Sequence, residues 1–148
     1  MDKFLQIETQ SFLNFYDKST PEIRESLKPL FENQIIEYLA FKIKSYEDAS
    51  TYLYGKVLDV NTPNIKSSSF SKLEIIIKAL NDGWDPRQFQ SYFYPTFVIE
   101  DNEFKFKDIK QGKYSDIFPF SNVFKFRDAE LAKYCATQFI NLWKDFYV

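Results

Sequence analysis

Histidine is absent from the 148 residues. The side chain that most often serves as general base near neutral pH, and as metal ligand, is therefore missing. Cysteine occurs once, at Cys135, so no disulfide can form within the chain. Neither a Cys–His nucleophile pair nor a zinc site of Cys and His ligands can be assembled. The 3 glycines stand alone at positions 55, 83 and 112, which excludes a phosphate-cradling glycine loop. So few glycines, with 6 prolines, argue against a disordered or loop-dominated chain. No apolar run approaches the length that spans a bilayer, and MDKFLQIETQSF places polar and charged residues where a signal peptide has its apolar centre. Neither sign of charge dominates: 19 basic residues face 21 acidic ones, net −2, which gives no global field to gather nucleic acid. With one cysteine and no leader, the expectation is a cytoplasmic protein with no membrane partner.

Aromatic residues, by contrast, are abundant. The 17 Phe, 10 Tyr and 2 Trp make 20% of the chain, and each buried ring removes a large area from water. Length and composition suit one domain with a real core. The densest cluster lies in NDGWDPRQFQSYFYPTF, residues 81–97. The reading assigns Trp84 and Phe97 to the core, Phe93 and Phe97 to the start of a hairpin, and partial exposure to Tyr92 and Tyr94.

Helical signals come first along the chain. Phe4, Leu5, Ile7, Phe12, Leu13, Phe15 and Tyr16 fit a helix over 3–16. Thr20 and Pro21 open a second as N-cap and first residue, with Pro29 expected to kink or restart it before it ends near Lys44. Ser45 caps a short helix reaching Tyr54. DVNTPNIKSSS, 59–69, reads as a linker, followed by a helix capped by Ser69 or Ser71 and closed by Asn81-Asp82-Gly83. The period then changes to two. YPTFVIE and FKFK flank Asp101-Asn102 as a hairpin, KQGKYSD is a turn, and SNVFKF is a third strand with Val123 or Phe124 inward. A closing helix carries Leu131, Cys135, Phe139, Leu142 and Phe146 on one stripe, beside Ala132 and Trp143. The fold class is α+β: N-terminal helices and a small antiparallel sheet of about three strands packed against a C-terminal helix. Residues 1–44 form a helical extension and 45–148 the core domain.

No catalytic, cofactor-binding or metal-ligating residue is assigned, and no cofactor. Cys135 lies on the apolar stripe and reads as a buried, inert thiol. Glu100, Asp101 and Glu103, and Asp82 with Asp85, could in principle bind Mg²⁺ or act as acid and base. Turn chemistry accounts for both groups more simply. Binding residues are assigned at the hairpin. Lys105, Lys107, Lys110 and Lys113, with Tyr114, Tyr92 and Tyr94, can contact phosphates, stack a base or meet a protein partner. Asp108 and Glu103 dilute the patch, and lysines also guard a strand edge against pairing. The amphipathic stripe of 1–44 either packs within the chain or serves a partner or a homodimer.

IIIKALNDGWDP, then YFYP-x-F, then NVFKFRDAELAKYCATQFINLWKDFYV resemble a group of small, largely uncharacterised proteins from phages and prophages of Bacteroidota. In that group a helix ending in ALN-x-GW-x-P leads to a YYP-x-F-like strand, and the chain closes on ELAKYAGKQF-x-x-LYKDYF. The matching residues here are Ala79, Leu80, Asn81, Gly83, Trp84 and Pro86; Tyr94, Pro95 and Phe97; then Glu130 to Tyr134 and Gln138 to Tyr147. SYEDA at 45–49 extends the likeness, which covers 45–148. Thr96 departs from it, standing where an aromatic is usual. The resemblance implies a mobile-element origin and brings no catalytic residues. The expected function is that of a non-enzymatic interaction protein that binds and modulates a host protein, such as an anti-CRISPR acting on a defence nuclease or its ribonucleoprotein. The alternatives are an RNA- or single-stranded-DNA-binding module using the lysine hairpin, and a structural or cargo protein of the phage particle.

Overall fold

A computed structural model describes residues 3–84, 91–113 and 124–148. The chain divides into two compact units, Met1–Phe41 and Lys42–Val148.

The first unit holds α1 (Lys3–Asp17), α2 (Pro21–Leu27) and most of α3 (Glu32–Lys42). Thr20 caps α2 by accepting the Ile23 N–H, and Pro21 follows at the first helical position, where its missing donor is no loss. The break between α2 and α3 contains Pro29, whose ring cannot continue a helical ladder. Rings tie the helices together. Phe12 stacks on Phe31 at 4.2 Å, and Tyr16 meets Tyr38 edge-on at 5.4 Å. Arg24 lies 4.8 Å over the Tyr16 ring while its Nε and Nη2 donate to the carbonyls of Tyr16 and Asp17, so one guanidinium closes the end of α1.

The second unit is built on α5 (Ile65–Asn81), which packs against α4 (Tyr46–Tyr54) and against α7 (Ile140–Tyr147). Ser45 caps α4, as its sequence indicates. The cap of α5 differs from expectation. Asn64, not Ser69 or Ser71, takes the Lys66 and Ser67 N–H groups on its Oδ1, so the helix starts inside the stretch read as linker. Ser68 and Ser69 are instead buried in the helix. Leu73, Ile76, Ile77 and Leu80 of α5 form the core with Leu131, Ala132 and Cys135 of α6 (Ala129–Gln138) and Trp143 of α7. The closing helix is two helices, because Phe139 leaves helical geometry at φ −110°, ψ 29°. Trp143 is thereby turned inward, and its indole N–H donates to the Cys135 carbonyl. It is buried while Leu142 and Phe146 are only half-buried.

The described residues contain two paired strands rather than about three. β1 (Ser91–Glu100) and β2 (Glu103–Lys113) form an antiparallel hairpin. Asp101 and Asn102 turn it, both at positive φ, which suits the right-handed twist of the flanking strands. The third-strand candidate contributes one bridge: Phe93 and Phe126 exchange both backbone hydrogen bonds, at 2.9 and 2.8 Å. Phe124 turns its ring onto Phe70, Trp143 and Phe146 instead of extending the ladder. KQGKYSD, 110–116, is not a turn throughout: Lys110–Lys113 continue β2, held by pairing with Ser91–Tyr94. Residues 114–116, and 121–123 of the strand candidate, lie outside the described residues.

Candidate hairpin interface

The register decides which hairpin side chains share a face. Tyr92 pairs with Gly112, Tyr94 with Lys110, Thr96 with Asp108, Phe97 with Phe106 and Val98 with Lys105. The shift between Thr96 and Phe97 leaves Lys107 as an extra residue on β2, a β-bulge. Phe106 lies opposite Phe97 and Asp108 opposite Thr96, so the bulge consumes one alternation. Lys107 and Asp108 therefore fall on the same side.

One face is packed. Pro95 is buried, Phe97, Phe104, Phe106 and Ile109 are half-buried, and the Phe97 ring lies 5.1 Å from Trp143 and 5.8 Å from Tyr147. The other face carries Tyr92, Tyr94, Thr96, Val98 and Glu100 with Glu103, Lys105, Lys107, Asp108 and Lys110. All three lysines are exposed, while Tyr94, Thr96 and Val98 are half-buried. Lys105 Nζ lies 3.5 Å from Glu103, an exposed pair of the kind worth about 0–1 kcal/mol. Lys107 and Lys110 make no ion pair with any described residue. Asp108 is engaged by the Thr96 hydroxyl, which donates to its carboxylate and carbonyl.

Of the assigned binding residues, Lys105, Lys107, Lys110 and Tyr94 are thus gathered on one face. Lys113, opposite Ser91, belongs to the parity of the packed side. Tyr114 lies outside the described residues. Tyr92 shares the open face but is 7% exposed, which corrects the expectation of a partly free ring. It lies over Gly112, where no side chain intervenes, and Lys125 Nζ sits 4.4 Å above the ring. Lys125 is the cation that sequence reading missed. Its place between Phe124 and Phe126 pointed to a strand residue rather than to a partner of Tyr92. The core assignment of Trp84 and Phe97 is also too strong, because both are half-buried.

Cys135 and Asp82 each have defined surroundings. Burial pushes the Cys135 thiol far above its ordinary range, so it stays protonated. Asp82 caps α5 in left-handed geometry and accepts a 2.7 Å bond from the Tyr52 hydroxyl. Asp85 lies outside the described residues. Among the described residues no group of three or more His, Cys, Asp or Glu side chains could hold a metal ion, and no helix is long and apolar enough to cross a membrane. Asn81, from the ALN motif, donates from Nδ2 to the Lys125 carbonyl and accepts the Arg127 N–H, tying the end of α5 to the segment beside β1.

A groove of about 400 Å³ runs beside the hairpin. It is lined by Tyr94, Pro95, Thr96, Phe97, Val98 and Ile99 together with Phe104 and Tyr147. Comparison of the chain with protein-family models, with curated proteins and with solved structures finds no match.

Proposed function

We propose that the chain is a non-enzymatic interaction protein, encoded by a phage or prophage, that binds and modulates a host protein, with a defence nuclease or its ribonucleoprotein as the target class. The observation that carries this reading is the open face of the hairpin. Three exposed lysines surround Tyr94 and Val98 on a two-stranded element whose opposite face packs against the helices. Cations beside half-buried apolar groups are the makings of an interface centre ringed by steering charge. The phage origin comes from the resemblance of the helix-end, strand and closing-helix motifs.

A protein target is favoured over bare nucleic acid by the same geometry. Glu103 and Asp108 stand among the lysines, Lys105 is already paired, and the Tyr92 ring is covered rather than free to stack. Nucleic-acid binding would draw on several unopposed cations and open rings. Retention from Bacteroidota host lysate, with and without nuclease treatment, tests the reading when wild type is compared with a Lys105→Glu, Lys107→Glu, Lys110→Glu variant. The expected result is a discrete protein that survives nuclease treatment and is lost with the variant. Retention that vanishes with nuclease treatment would transfer the face to RNA or single-stranded DNA. Retention unchanged by the three substitutions would remove the hairpin face from the account.

A further inference from the structure

We propose that the outer edge of β1 is a self-pairing edge, through which two copies of the chain join antiparallel into a four-stranded sheet of order β2-β1-β1-β2. This inference rests on the backbone of the edge and not on the lysines, although Tyr94, Thr96 and Val98 border both the open face and the groove.

The backbone geometry supplies the first step. Phe93 spends both its N–H and its C=O on Phe126, on the side away from β2. In an antiparallel ladder that orientation recurs at every second residue, so Pro95, Phe97 and Ile99 also face outward. The bulge does not disturb this alternation, because its extra residue is on β2. Pro95 has no N–H to offer. Phe97 and Ile99 each present a donor and an acceptor, and no described residue bonds to this edge beyond Phe93.

The groove is the second step. A cleft over the face of a strand is lined by alternate residues, whereas this one is lined by the consecutive run Tyr94–Ile99. It therefore follows the strand edge and reaches under the packed face to Phe104 and Tyr147. The lining strand residues carry no charge. β2, by contrast, bears Glu103, Lys105, Lys107, Asp108, Lys110 and Lys113 and a bulge, the devices that keep a strand from pairing. Ile99 is 62% exposed at the end of the cleft.

The occupant follows from the edge's own sequence. A two-fold axis through Val98 sets Phe97 of each copy against Ile99 of the other, each pair exchanging bonds in both directions. Pro95 then falls opposite Asp101, outside the ladder. A two-fold through Phe97 would instead place Pro95 opposite Ile99 and lose a donor. Antiparallel pairing also sets Glu100 and Asp101 of one copy level with the Lys107–Lys110 stretch of the other hairpin. Ile99 of one copy reaches Phe97 and Tyr147 of the other. The two open faces become continuous, which doubles the lysine surface.

Val98 is the diagnostic position. At a non-hydrogen-bonded antiparallel pair the Cα atoms lie about 4.5 Å apart, within disulfide reach. The full-length Val98→Cys variant, oxidised with diamide, should form a covalent dimer, while Lys107→Cys should not exceed background; buried Cys135 cannot compete. Sedimentation of the wild-type chain should show a monomer–dimer equilibrium. Ile99→Pro, which removes an outward donor without touching the bonds to β2, should shift that equilibrium to monomer while hydrogen exchange shows the hairpin intact. A wild type that is monomeric at every concentration would overturn the proposal. In that case protected Phe97 and Ile99 amides would mean that the chain covers its own edge, and unprotected ones that the edge awaits a different protein. Equal cross-linking at positions 98 and 107 would overturn it as well.

Discussion

Gly112 shows how one missing side chain sets the local design. A Cβ built there would lie 2.5–2.6 Å from the outer atoms of the Tyr92 ring, inside any real contact distance. The ring can be 7% exposed because the opposing strand offers no side chain. Gly112→Ala is therefore expected to lower stability by about 1–3 kcal/mol, the usual range for overpacking. Chemical denaturation checks it, and the deficit should shrink when Tyr92→Leu is added, because the clash is then gone. Cys135 makes a second test. Its thiol is held protonated by burial, so its folded pKa is raised above the unfolded value. A raised pKa contributes stability that is complete below the unfolded value, roughly 8.5, and declines as pH rises above it. Thermal stability should fall as pH is raised through 9 and 10, less steeply in Cys135→Ala, where that thiol no longer contributes. Tyr134 and Tyr147, whose pKa values burial also raises, should steepen the loss at higher pH. A slope identical in both proteins would show that the thiol does not contribute.

Among the elements, the hairpin was the most legible, because alternation in FKFK and the turn-forming pair Asp101-Asn102 act locally. That turn gives a sharp prediction. Asn102 sits at φ 63°, where Asn and Gly are tolerated and a β-branched side chain is not. Asn102→Val should destabilise by about 1–2 kcal/mol, and Asn102→Gly should leave the melting temperature close to wild type. Equal effects of the two would mean that the turn relaxes into another geometry. Caps at Thr20 and Ser45 and the break at Pro29 were readable for the same reason: their chemistry lies within a few residues. The misses were set by distant partners. No Gly or Pro marks Phe139, and the apolar period runs across it unbroken, yet the indole of Trp143 is held against the Cys135 carbonyl and two helices result. SNVFKF alternates like a strand, but its Phe124 ring is drawn to Phe70, Trp143 and Phe146, leaving one bridge at Phe126. Lysine spacing indicated that Lys105 and Lys107 share one face, while the bulge that brings Lys107 beside Asp108 and leaves Lys113 on the other parity depends on pairing and had no local signature.

For the whole molecule, the Lys42–Val148 unit reads as a support for the hairpin. α5, α6 and α7 enclose the core, Asn81 anchors the segment that bonds to Phe93, and Phe97 and Trp143 seat the packed face. What remains open is a face of half-buried apolar groups and mixed charge, where Lys105, Lys107 and Lys110 stand among Glu100, Glu103 and Asp108. The proposed binding role is tested most sharply at Tyr94, which lies on that face. The most direct measurement replaces Tyr94 with a photo-crosslinking phenylalanine analogue and irradiates the protein in nuclease-treated host lysate. Phe15, exposed in the other unit, serves as the control position. The expected result is a discrete host protein cross-linked from position 94, absent from position 15, and lost when Lys105, Lys107 and Lys110 are converted to Glu. Cross-links equally abundant at both positions, or none at position 94, would contradict it.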